Sequence, residues 1–188
     1  MRLGNNGRAR LQQADALDLP VADASFDVLA CQFGVMFFPD RLRGHREAHR
    51  VLRPGGALVF DVWDSLETND FARVITQAVR ELAGDDSLDF LARTPHGYHE
   101  ADRIEEDLIR AGFAAVSIER VDGTSTATAD DAAVAYCQGT PRRAAIEAHP
   151  AVSLAEATRV ARDALQREVG AGALTGRTGW IEVVAEVG

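Results

Sequence analysis

The chain has 188 residues, 46% of them hydrophobic, with a formal net charge of −9 and a sequence pI near 5.0. That length is enough for one domain with a real core, and the acidic balance excludes an extended nucleic-acid-binding surface. All 20 basic residues are arginine, which removes lysine nucleophiles and Schiff bases from the available chemistry.

Met1–Arg8, with two glycines and two asparagines, reads as a flexible lead-in, and Ala9–Ala14 as a short strand. Asp18-Leu19-Pro20 and Asp23-Ala24-Ser25 form a turn-rich connection into Phe26–Cys31, a short apolar run of the kind buried in a parallel sheet. Arg41–Leu52 has helical apolar spacing, Pro54-Gly55-Gly56 ends it, and Ala57–Val62 is a second apolar run. Two parallel strands joined by a helix predict an α/β sheet with helices on both faces. Phe71–Leu82 follows as an amphipathic helix, Gly84–Gly97 as a polar loop or a short helix, and Glu100–Ala111 as a helix closed by Gly112. Ala114–Val121 alternates as a strand. Asp130 or Asp131 is placed to cap Ala132–Gln138, Arg142–His149 and Leu154–Val169 are amphipathic, and Trp180–Val187 is the last strand.

Two cysteines, Cys31 and Cys137, stand far apart with no C-x-x-C spacing, so neither a disulfide framework nor a zinc site is expected. No apolar run reaches the length of a membrane span and no apolar signal region is present, so a cytoplasmic protein with no membrane partner is expected.

Several segments, in order, carry a resemblance. They are Gln13-Ala14-Asp15-Ala16-Leu17-Asp18-Leu19-Pro20, Ala24-Ser25-Phe26-Asp27-Val28, Gln32-Phe33-Gly34-Val35-Met36-Phe37-Phe38-Pro39 and Arg50-Val51-Leu52-Arg53-Pro54-Gly55-Gly56. Together they resemble class I S-adenosylmethionine-dependent methyltransferases, nearest to the ubiquinone/menaquinone-biosynthesis type. Leu108-Ile109-Arg110-Ala111-Gly112-Phe113 resembles that family's helix before its sixth strand.

The resemblance implies a single methyltransferase-like domain over 1–188, with a Rossmann-like, mostly parallel sheet and an antiparallel last strand. Ala9–Ala14 would be the third strand, Phe26–Cys31 the fourth, Ala57–Val62 the fifth, Ala114–Val121 the sixth and Trp180–Val187 the seventh. The family's first two strands, its G-x-G-x-G loop and its ribose-binding acid have no counterpart, so roughly 60 residues of strand–helix units are expected to be missing ahead of Met1. An unpaired apolar edge at Phe26–Cys31 is then expected, together with self-association or pairing with a complementing N-terminal fragment. Cofactor binding by this chain alone is expected to be weak.

By the same resemblance S-adenosylmethionine is the cofactor and a small molecule the methyl acceptor. Asp15 would accept from the adenine amino group, Ala16 would lie by the ring edge, and Gln32 and Phe33 would sit beside the sulfonium. Trp63, just past a strand's carboxyl end, belongs to the ligand crevice, and Phe37 is a wall candidate that serves equally well as core. Tyr136 falls in 124–176, which resembles the cap helices over the family's substrate pocket. His45 and His49 share one side of a helix but lack metalloprotease spacing, and a structural role is the simpler reading. One of His96 and His99 could serve as a base toward a substrate hydroxyl or carbon acid, although exposed loop histidines need no role. The rival reading is a non-catalytic module that binds a partner through its open sheet edge.

Overall fold

The computed structural model describes residues 11–170 and 172–188. Its strands are β1 (Phe26–Gln32), β2 (Leu52–Trp63), β3 (Ala115–Thr128) and β4 (Ala173–Glu186). The helices are α1 (Arg41–Val51), α2 (Asp70–Ala83), the short α3 (Phe90–Arg93), α4 (Ala101–Ala111), α5 (Ala129–Gln138), α6 (Arg142–Glu147) and α7 (Leu154–Glu168).

The strands form one sheet in the order β1-β2-β4-β3. β1 pairs parallel with β2, in register Gln32 to Asp61. β4 runs antiparallel to both of its neighbours. The expectation of a mostly parallel sheet is therefore corrected. One reversed strand inserted between β2 and β3 makes two of the three pairings antiparallel, although β1, β2 and β3 still point the same way.

A second correction concerns Ala9–Ala14. Leu11–Ala14 forms no strand, and Asp15 joins Asp18 only through an isolated bridge. Residues 9 and 10, like the expected lead-in at 1–8, lie outside the described residues. Among the described residues the outer edge of β1 has no strand partner, and Phe26 and Val28 are 43% and 57% exposed there.

Alternation along β2 sends Leu58, Phe60 and Val62 into one core with Ile181, Val183 and Ala185 of β4, beneath α1 and α4. Helices on both faces of this part of the sheet were expected, but the other face is open among the described residues. It carries Val59 and Val184, and Asp61 opposite Glu182. Burial and the neighbouring Glu182 charge push the Asp61 carboxyl upward.

β3 and β4 run in unbroken register from Ala115–Glu186 to Thr128–Ala173, so the ribbon extends well beyond the predicted strand ends. Thr124, Thr126 and Thr128, exposed at every second position, suit a pleated ribbon with one wet face. α5, α6 and α7 occupy the crossover between these strands. They share a second core with α2, built on Val74, Ile75, Ala133, Ala161, Leu165 and neighbours. α5 begins earlier than the sequence predicts because Thr128, rather than an aspartate, is the cap: its hydroxyl accepts from the Asp131 amide and donates to Asp131 Oδ2.

Candidate functional site

β1 and β2 are parallel, so Gln32 and Trp63 end at the same edge of the sheet, where α/β folds place their ligands. Phe33 follows β1 directly, with φ +48°, a conformation rare for a non-glycine residue. That turn lays its ring on Trp63, with centroids 4.1 Å apart and planes 15° from parallel.

Trp63 also borders a cavity of about 380 Å³ with Phe37, Phe90, His96, Tyr136 and Pro141. Phe37 and Phe90 stack at 6.5 Å, and Trp63 and His96 lie 6.2 Å apart. The structure thus brings Trp63, Phe37 and Tyr136 together from three distant parts of the chain. Phe37 remains 45% exposed, because the 3₁₀ turn Val35–Phe37 buries Val35 and Met36 instead. Burial pushes the Tyr136 phenol upward, which keeps it a neutral hydroxyl.

The floor is fixed by Asp64 and Asn69. Asp64, 4% exposed, accepts from the Ser65 amide at 2.7 Å and forms an ion pair with Arg120 of β3. Asn69 donates to the Ser65 and Gly179 carbonyls at 2.9 and 3.1 Å, and its Oδ1 accepts from the Gly179 amide and the Thr178 hydroxyl. Sequence patterning did not single out either residue. Asn69 stood in plain view just ahead of a helix, a position where asparagine usually engages backbone groups.

Asp15, Ala16, Gln32 and Phe33 do not converge on that cavity. Asp15 Oδ1 accepts from the Leu17 amide at 2.9 Å in an exposed Asx turn. Ala16 lines a separate apolar groove of about 240 Å³ with Leu29, Cys31, Val35 and His45. Gln32 is exposed. The Asp15 turn is tied to α1 by residues that sequence reading passed over. The Leu19 amide donates to Glu47 Oε1 at 2.7 Å, Arg43 Nε to the Leu17 carbonyl, and Arg50 to the Leu19 and Val21 carbonyls at 3.0 Å. Arg50 also pairs with Asp23 and Glu47.

His45 and His49 hold no metal cluster among the described residues. His45 is buried against Phe60 and Tyr98, while His49 meets Phe113 edge-on. Among the described residues no helix is long and apolar enough to cross a membrane.

A family model for the methyltransferase domain matches residues 1–60. A demethylmenaquinone methyltransferase of Deinococcus radiodurans is 52% identical over 50 residues, 27% of this chain and 21% of that protein. One from Corynebacterium kroppenstedtii is 26% identical over 132 residues, 65% of this chain and 58% of that protein. The chain thus spans well under two thirds of the length of these curated relatives. A crystal structure of a Bacillus halodurans protein assigned as a methyltransferase superposes with a TM-score of 0.56 at 18% identity, covering 96% of this chain and 78% of that one. The segment 1–60 is similar to a methyltransferase domain, and the fold is similar to that of a methyltransferase-like structure. Homologues of the chain, over part of its length, include methyltransferases of ubiquinone and menaquinone biosynthesis.

Asp15 Oδ2 takes no hydrogen bond among the described residues, and the Phe33–Trp63 stack presents an aromatic surface at the end of β1.

Proposed function

We propose that this chain supports S-adenosylmethionine-dependent methyl transfer to a small, largely apolar acceptor, held in the cavity between Trp63 and the α5 region. The observation that carries this reading is the Phe33–Trp63 stack, which joins the end of β1, beside the Asp15 turn, to the wall of that cavity. When bound, the cofactor supplies an electrophilic methyl group on sulfur. The chain's own part is orientation: Trp63 and Phe37 flank the acceptor, Tyr136 and the α5–α6 turn cover it, and Asp15, Ala16, Gln32 and Phe33 face the donor side. Alignment of two reactants against an apolar wall accounts for most of what such a displacement needs.

Calorimetric titration of the chain with S-adenosylhomocysteine, with and without Asp15→Asn, tests the donor side. Methyl transfer from labelled S-adenosylmethionine to a panel of aromatic acceptors, with and without Trp63→Ala, tests the other. Binding heat unchanged by Asp15→Asn, together with transfer unchanged by Trp63→Ala, would overturn the reading. One observation favours the rival, a module that pairs through its sheet edge: Phe26 and Val28 are exposed on β1. Size-exclusion chromatography showing association abolished by Val28→Lys would support it.

A further inference from the structure

Alternation along the strands gives the uncovered face of the sheet a regular pattern. Leu58, Phe60 and Val62 of β2 enter the core, so Val59 and Asp61 point the other way. Strand register carries each of them across the sheet. Ala30, Val59, Val184 and Ser117 form one row, and Gln32, Asp61, Glu182 and Glu119 form the next. Beyond these, Trp180 lies beside Val121. An acidic row thus runs between two largely apolar ones, and Val59 and Val184 are each 37% exposed.

No ion pair among the described residues involves Asp61, Glu119 or Glu182. Trp180 Nε1 donates to Glu182 Oε1 at 3.0 Å, which leaves the charge of the row unbalanced. Like charges directly opposite on neighbouring strands repel, and Glu182 faces Asp61 on one side and Glu119 on the other. A flat row of carboxylates does not close round a metal ion, and no cluster suited to one occurs among the described residues. A second copy of this face would double the negative charge, and nucleic acid or an anionic lipid surface is repelled in the same way. The complementary surface is a cation set among apolar groups.

Parallel pairs such as β1–β2 are ordinarily covered by helices on both faces. Rows on one face lie about 6.8 Å apart along a strand, and helix turns about 5.4 Å apart. A helix lying along β2 and β4 therefore sets one residue per turn over each row.

We propose that this face docks an amphipathic helix of a partner protein, with an arginine at the centre of its buried side and an apolar residue one turn to either side. The apolar residues rest on Val59 and Val184 and on Trp180 and Val121. The guanidinium lies between Asp61 and Glu182, whose strands are about 4.8 Å apart, within reach of its forked donors. The surface is distinct from the open edge of β1, and docking there does not depend on the methyl-transfer reading.

The test uses the whole chain and three alanine-rich helical peptides. They share a leucine–X–leucine stripe at one residue per turn, with arginine, glutamine or glutamate at X. Methyl NMR follows Val59 and Val184. The arginine peptide should shift both, and bind about fivefold more tightly than the glutamine peptide, the ratio for about 1 kcal/mol. The glutamate peptide should bind more weakly than either. Asp61→Asn combined with Glu182→Gln should make the arginine and glutamine peptides bind alike. It should also raise the urea midpoint of the chain alone, because a repulsive pair is gone. Equal affinities of these two peptides for the unsubstituted protein, binding of no peptide, shifts confined to the Phe26–Gln32 amides, or an arginine preference that survives the double substitution would overturn the inference. A lowered urea midpoint would overturn it too, since it would show the acidic row already neutralised within the chain.

Discussion

Asn69 and Gly179 exchange two hydrogen bonds across 110 positions of sequence: Nδ2 donates to the Gly179 carbonyl at 3.1 Å and Oδ1 accepts from the Gly179 amide at 3.2 Å. The side chain thereby acts as a short extra rung between the loop after β2 and strand β4, below the aromatic cavity. Gly179 is required by the close approach, since a Cβ there would fall 2.7 Å from Thr68 Oγ1.

Replacing Asn69 by Ala should therefore cost about 1–3 kcal/mol, because the Gly179 amide and the Thr178 hydroxyl lose their acceptor, while the Gly179 and Ser65 carbonyls keep the Asp64 and Thr68 amides. Asn69→Asp should be no better, since it can accept from Gly179 but not donate, and it buries a charge. Urea unfolding of both variants measures this; a loss below about 1 kcal/mol for Asn69→Ala would show that the rung is replaceable.

The strand–helix–strand unit around α1 was legible in the sequence because its signals are local: an apolar run, a helical period, then Pro54-Gly55-Gly56. The order β1-β2-β4-β3 agrees with the 4-5-7-6 part of the family's sheet. The strand expected over Ala9–Ala14 was not visible as an error, since whether Leu11–Ala14 pairs depends on a neighbour and not on its own residues. The open face bearing Val59 and Val184 was missed for a related reason: periodicity shows which residues share a face, but not what covers it. At the site, Trp63, Phe37 and Tyr136 could be nominated one by one. Their meeting depends on α5 folding over the carboxyl end of β2, a long-range contact that no local pattern encodes. Arg50 and Glu47 were overlooked because a charged pair on a helix ordinarily faces solvent.

Arg50 joins four groups of the 19–23 segment and α1: the Leu19 and Val21 carbonyls, Asp23 and Glu47. Arg50→Met keeps much of the stem but none of the donors. Amide hydrogen exchange at Leu17–Ser25 should then accelerate about tenfold or more while the β2 and β4 amides keep their protection. Uniform acceleration would mean that the arginine supports the whole fold and not this turn.

Gly44 sits inside α1, where alanine would ordinarily stabilise a helix by about 1 kcal/mol. Here an added Cβ would lie 2.5 Å from Phe38 Cδ2, so Gly44→Ala should destabilise by about 1–3 kcal/mol instead. Phe38→Leu made in the same chain should recover part of that loss, giving a coupling energy measurable by a double-mutant cycle. Additive effects would place the ring elsewhere in solution.

His45 should make stability depend on pH. It is 1% exposed, its pKa is lowered to about 4 by burial, with Asp107 of α4 opposing and Arg41 of α1 reinforcing the shift. Tyr98 donates to Asp107 Oδ2 at 3.0 Å, so its oxygen accepts from His45 Nε2 at 3.3 Å, and Arg41 lies over the Tyr98 ring. Between about pH 6.5 and pH 4 the unfolded histidine binds a proton that the folded one does not. Stability from this group is complete above about pH 6.5 and falls as the pH drops through that window, by at most about 1.4 kcal/mol per pH unit. His96, lowered in the same direction, adds to the slope. His45→Gln can keep a donor to Tyr98 while removing the titration, so urea midpoints between pH 4.5 and 7.5 should show a shallower slope for the variant. Equal slopes would mean that His45 titrates normally in the folded chain, with its side chain open to water.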